Sequence, residues 1–284
     1  MTLDEAYAQC ARRARRGRPD FPAGSFLLPR ERRRDVHAIL AFARGAADLA
    51  DEGVTAADAS HRLKLLDEWE GQLGLCLKGE TGEAIFVALR HTIGARELSG
   101  QLFLDLIAGF REEVTKARYA SFEELRAHCG LRANPVGRLV LQVFGHRDEE
   151  RARLSDRIFT ALQLANFWSG VRADLGRGKI YLPADERESF GVTEEALGGR
   201  RFDEGFLRLM QYQVRRTREI LDSGRRLLTL LEGRVRAEFR MLRFWGMDIL
   251  GRIEAAGFDS PRRRPSPRRL CAVRLMARAA FGGR

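Results

Sequence analysis

Apolar residues recur at helical spacing along almost the whole chain, and no two-residue alternation of apolar and polar residues recurs. This constrains the fold more than any single motif, because a 3.6-residue period suits helices and a period of 2 suits half-buried strands. It predicts helices over 7–18, 30–52, 60–77, 82–93, 100–118, 151–175, 205–231 and 233–257, with a last short one over 270–281. Val36, Ile39, Leu40 and Ala43 form the apolar stripe of the second of these. Ser121-Phe-Glu-Glu124 reads as a capping box that opens a further helix. Ala133–Phe144 is apolar enough to pass for a strand, but Pro135 near its start and its length favour a buried helix. Phe21–Pro29 and Gly176–Pro183 are loops by their Pro and Gly content. No internal repeat is visible. The expectation is an all-α single domain over 1–284 that ends in a basic tail, 261–284.

Composition narrows the class. With 44% hydrophobic residues the chain can bury a large core, and 31% charge argues for a soluble protein. No apolar run is long enough for a membrane-spanning helix, and the start lacks the basic-then-apolar pattern of a secretory signal. Cys10, Cys76, Cys129 and Cys271 are scattered, which suggests neither a zinc site nor a disulfide framework and makes a reducing cytoplasm the default. The five histidines have no metal-ligand spacing. A net charge of +11 fits nucleic acid, an anionic membrane surface or phosphorylated substrates. Arginine clusters at 12–18 and 262–269 come with no nucleic-acid reading motif, so nucleic acid is not expected.

Two stretches carry chemistry. In Phe42–Glu52, the carboxylates of Asp48, Asp51 and Glu52 share one helix face, because i, i+3 and i+4 are neighbours. Carboxylates that close repel one another unless a cation sits among them, and Arg44 lies one turn earlier. Alone, the pattern also suits a solvated acidic face. In Ala161–Asp174, Asn166, Gly170 and Asp174 line one helix face, with Gln163 three residues before Asn166. Asn and Asp are hard oxygen donors suited to Mg²⁺, and a glycine between them leaves room for water.

The ordered set Phe21-Pro-x-x-Ser-Phe-Leu-Leu-Pro29, Ala41-Phe-Ala-Arg44, Asp48-x-x-Asp51-Glu52, Arg118-Tyr119, Asn134-Pro-Val-Gly-Arg-Leu-Val-Leu141, Gln163-Leu-x-Asn166, Asp174 and Ile180-Tyr-Leu-Pro183 resembles the squalene/phytoene synthases. It is nearest the bacterial hydroxysqualene synthase branch of hopanoid biosynthesis, and it runs from about Tyr7 to Leu270. The resemblance implies a class I isoprenoid synthase bundle around a central apolar cavity, with two aspartate-bearing helices holding Mg²⁺ against a substrate diphosphate. It implies metal ligands at Asp48, Asp51, Glu52, Asn166 and Asp174. Substrate contacts are implied at Ser25, Phe26, Arg44, Gln163, Asn166 and Tyr181, with Phe42, Phe167 and Trp168 as further wall residues.

In that branch, presqualene diphosphate and water would give hydroxysqualene and diphosphate, and no NADPH is expected. Gly176-Arg-Gly-Lys179 is not a P-loop. The resemblance implies an isoprenoid diphosphate and sister enzymes of the squalene pathway as partners, while the net positive charge and a lipophilic product favour peripheral binding of a cytoplasmic protein to the inner face of a membrane. The chain departs from the family pattern in four places. Ala47 and Gly170 stand where aspartates are usual, His128 where a tyrosine is usual, and Glu113 where an aspartate is usual. Histidine as a residue type can carry a proton near neutral pH, and His128 also suits a core position. Two alternatives stay open: head-to-head farnesyl diphosphate condensation to presqualene diphosphate or dehydrosqualene, and a non-catalytic paralogue that binds prenyl diphosphates.

Overall fold

The computed structural model describes residues 1–15, 23–51, 59–80, 82–199 and 203–259. Among them the helices are α1 (Leu3–Ala14), α2 (Arg30–Ala50), α3 (Ala59–Lys78), α4 (Ala84–Arg96), α5 (Gly100–Thr115), α6 (Phe122–Arg132) and α7 (Asn134–Val143). They continue with α8 (Glu149–Leu175), α9 (Ala184–Ser189), α10 (Glu194–Leu197), α11 (Glu204–Ser223), α12 (Leu227–Leu230) and α13 (Gly233–Ala255). The all-α expectation holds; the one strand-like feature among the described residues is a single bridge between Arg118 and Ile180.

Two helices organise the bundle. α8 starts at Asp148, whose side chain accepts from the Arg151 N–H, with Glu149 and Glu150 favouring the positive end of the helix dipole. Its buried residues run almost without interruption from Leu154 to Asp174, as they must in a helix surrounded on all sides. α6, α7, α11 and α13 pack around it. The other organiser is α2, which is packed by α1, α3, α4 and α5, and α7 touches both. Phe42 of α2 sits edge-on to Phe86 and Phe103 and beside Trp69, and this buried aromatic group fills the space between α2, α3, α4 and α5.

Boundaries differ from expectation where local chemistry decides them. α1 begins at Leu3 because Thr2 and Glu5 form a reciprocal capping box, a Thr-x-x-Glu signal present in the sequence. At α6 the Ser121 side chain caps the Glu124 N–H, but Glu124 reaches back to the N–H of Ala120 rather than of Ser121. The helix expected over 205–231 breaks after Ser223. Gly224 lies against α8, where an added Cβ would come within 2.7 Å of Ile158, and α12 follows as a separate turn. α9 and α10 are two short helices inside a stretch with no predicted element. The basic tail, the expected helix over 270–281, and Phe21, Pro22 and Glu52 lie outside the described residues.

Candidate active site

The end of α2 and the end of α8 are joined by a guanidinium. Asp51 closes α2, its N–H bonded to the Ala47 carbonyl, and Asp174 sits in the last turn of α8 with 2% of its surface exposed. The chain then turns back on itself: the N–H groups of Arg177 and Lys179 both bond the Asp174 carbonyl, and Gly178 takes φ +75°. That turn places Arg177 between the helices, 3.0 Å from Asp174 Oδ1 and 3.8 Å from Asp51 Oδ1.

A third carboxylate stands beside them. Glu113, near the end of α5, accepts from Arg132 Nε at 3.0 Å, from Tyr181 Oη at 3.1 Å and from Lys179 Nζ at 3.3 Å. Burial alone would raise its pKa, but Arg132, Lys179 and His128 hold it far below the usual carboxylate range. Asp51 goes the other way. Partial desolvation, with 55% of its side chain still exposed, and the neighbouring Glu113 raise it, against Arg177, Lys179 and Arg132. Arg132 is further fixed by the Phe110 ring, 4.1 Å from its guanidinium carbon.

An aromatic group adjoins the charges. Phe167 and Tyr181 stack with centroids 3.7 Å apart, Tyr119 stacks on Tyr181 at 5.8 Å, and His128 lies 5.3 Å from Tyr119 and 6.2 Å from Phe167. The 176–183 segment is held there by backbone bonds from Ile180 to Ala117 and from Ala184 to Tyr119. His128 is fully buried; its Nδ1 lies 3.2 Å from Glu112 Oε2, and that contact leads the lowering of the Glu112 pKa. His128 Nε2, Tyr119 Oη and Gln163 Oε1 are buried with no hydrogen-bond partner among the described residues. Buried polar atoms are normally paired, so such orphans mark places where a ligand or water belongs. The space bounded by Phe167, Val171, Asp174, Lys179 and Tyr181 is about 10 Å³, room for one water.

Of the residues expected from sequence, Asp51, Asp174 and Tyr181 meet in this cluster, and Gln163 and Asn166 line buried positions of the same α8. Asp48 is turned elsewhere. Its carboxylate is 2.9 Å from Arg44 Nε and 3.1 Å from an Arg13 nitrogen of α1, and it is about half exposed. Ser25 is engaged by α13: its N–H donates to Glu238 Oε1 at 3.1 Å, its hydroxyl donates to the other Glu238 oxygen and accepts from the Leu27 N–H. Phe26 beside it is 59% exposed. Trp168 serves the core, its indole donating to Thr217, and Phe42 belongs to the aromatic group already described.

The expected Mg²⁺ clamp is therefore not what the described residues assemble. Among them no three His, Cys, Asp or Glu side chains form a group that could hold a metal ion. Ala47 and Gly170 bring no oxygen, Asp48 pairs with arginines, and Glu113 is taken by Arg132, Lys179 and Tyr181. Asp51 and Asp174 face the same guanidinium. Among the described residues the carboxylates do not assemble a metal cage; Glu52, another of the expected ligands, lies outside them. Sequence reasoning noted Glu113 only as a departure from the family pattern and missed Arg132, Arg177 and Lys179 as site residues; the signal available for the last two was the basic turn Gly176-Arg-Gly-Lys179 directly after Asp174.

Comparisons with known proteins identify the fold and the family. The squalene synthase HpnC from Alicyclobacillus acidocaldarius superposes with a TM-score of 0.84 at 36% identity, covering 91% of this chain and 97% of that one. A dehydrosqualene synthase solved with a ligand shares the fold, with a TM-score of 0.89 at 19% identity over 98% of this chain and 96% of its own. Phytoene synthase from Arthrospira platensis is 30% identical over 91% of this chain and 87% of its own length; for the carrot enzyme (Daucus carota) the figures are 31%, 91% and 66%. Residues 14–271 match the squalene/phytoene synthase family profile. Members of that family are prenyltransferase-type enzymes that act on isoprenoid diphosphates, generally with a divalent metal. From Asp51 to Tyr181, these charges and the rings beside them sit on the scaffold of that family, and this chain belongs to it.

Proposed function

We propose that the chain converts presqualene diphosphate and water to hydroxysqualene and diphosphate. The observation that carries the reading is the cluster itself: three cations, Arg132, Arg177 and Lys179, next to a stacked aromatic group that contains unpaired polar atoms. In the reaction a carbon–oxygen bond breaks and the diphosphate leaves with the electron pair. Guanidinium and ammonium groups meet its growing charge through charge-assisted hydrogen bonds. The carbocation left behind is favoured by the faces of Phe167 and Tyr181, and burial keeps stray water away. Water then adds its oxygen to the cation and gives up a proton. His128 Nε2 is the candidate acceptor, since Nδ1 is held by Glu112 and Nε2 has no partner among the described residues.

The similarity to phytoene synthases supports a second reading, in which two prenyl diphosphates condense head to head. The two separate in one assay. The purified chain is incubated with presqualene diphosphate, and in parallel with farnesyl diphosphate, and the products are extracted. Hydroxysqualene from the first incubation is expected; a product only from the second favours condensation. If neither substrate is consumed, the catalytic reading falls.

A further inference from the structure

The charge arrangement of the cluster differs from what its own family pattern leads one to expect. Ala47 and Gly170 together remove two carboxylates, and two negative charges equal the charge of one divalent cation. The organic cations remain. Asp51, Asp174 and Glu113 are matched by Arg132, Arg177 and Lys179, so the described cluster is neutral without a metal. Arg177 stands where a cation bridging the two helices would stand, within 4 Å of a carboxylate oxygen from each. Its side chain is 40% exposed, so a ligand from solvent can reach it. A guanidinium has five N–H donors in a planar fork, and it can hold carboxylates on one edge and a phosphate on another.

We propose that Arg177 takes the place of a divalent cation between Asp51 and Asp174, so that this chain binds the diphosphate group of its substrate without added metal. The inference rests on the functional reading above and deepens it, because it names the group that holds the leaving diphosphate. Arg177 meets the phosphate oxygens, with Lys179 and Arg132 behind it, and the two aspartates keep the fork oriented. A metal adds little among the described residues, because positions 47 and 170 carry no carboxylate, Glu113 and Asp174 are paired with cations, and Asp51 faces Arg177 at 3.8 Å.

The test is calorimetric titration of the full chain with inorganic pyrophosphate, once in excess EDTA and once in Mg²⁺. The expected result is a dissociation constant in EDTA within about tenfold of that in Mg²⁺, a difference under about 1.4 kcal/mol. Arg177→Gln should weaken binding in EDTA by roughly tenfold or more and should bind more tightly once Mg²⁺ is added, because two carboxylates are then released to it. If Arg177→Gln fails to keep the helical circular dichroism of the parent, Arg177→Lys replaces it, with a smaller loss expected in EDTA. Pyrophosphate binding by the parent only in Mg²⁺ overturns the inference and leaves the functional reading standing. So does metal-free binding that is equal in parent and variant. Binding in neither buffer overturns both.

Discussion

Glu113 shows what a single side chain does in this cluster, since three donors from two elements converge on it. Replacing it by Gln removes the charge and leaves Arg132 and Lys179, which are 11% and 15% exposed, without their counter-ion. Breaking such a partly buried pair costs about 2–4 kcal/mol. Its pH dependence has a definite sign. A carboxylate held low in the fold adds stability above its unfolded pKa of about 4.3, and that stability is lost as pH falls toward the depressed folded value. Thermal melts of parent and Glu113→Gln should therefore differ most at neutral pH and converge as pH falls below about 4. A difference that stays constant through the acid range would show that Glu113 is not held low. None of this convergence was legible in sequence. Arg132 and Lys179 lie 19 and 66 residues from Glu113 along the chain, and only the tertiary fold says which of 50 basic residues meets which acid.

At the level of elements, packing faces were legible and exact ends were not. The apolar stripe of α2 and the apolar character of α7 follow from residue spacing, and so did the helical assignment of both and of α8. The break at Gly224 did not, because it depends on α8 lying alongside. Close approach of the same kind joins α7 to α8. A Cβ built on Gly137 would collide with the Phe159 ring and with Ser155 Oγ, so the two backbones come as near as they do only because residue 137 has no side chain. Gly137→Ala should cost about 1–3 kcal/mol through overpacking, on the order of 3–10 °C in melting temperature. Gly71→Ala in α3 is the matched control, since a Cβ there meets nothing within 4 Å and the position is exposed. It should raise stability by about 0.5–1 kcal/mol through lower chain entropy. If both substitutions shifted the melt in the same direction, the close crossing of α7 and α8 would not be what Gly137 serves.

For the molecule as a whole, the net charge and the chemistry of the proposed product both favour an anionic membrane surface. No described helix is long and apolar enough to cross a membrane, while the chain carries a net charge of +11. Arg12 and Arg15 on and just after α1 are exposed, and a further cluster of five arginines lies over 262–269. Phe26, in the loop before α2, leaves an aromatic ring 59% exposed. Basic residues near an anionic leaflet contribute about 1 kcal/mol each, and that attraction fades over a Debye length of about 10 Å at 0.1 M salt. The alcohol formed in the proposed reaction would be apolar enough to leave into lipid, so docking on the leaflet would shorten its path. The full chain should therefore sediment with phosphatidylserine-containing vesicles at low ionic strength, be released by about 0.5 M salt as screening shortens to a few ångströms, and stay in the supernatant with purely zwitterionic vesicles. Equal binding to both vesicle types would assign the attachment to apolar contact at Phe26 instead of charge. Binding to neither would separate the basic character of the chain from membranes altogether.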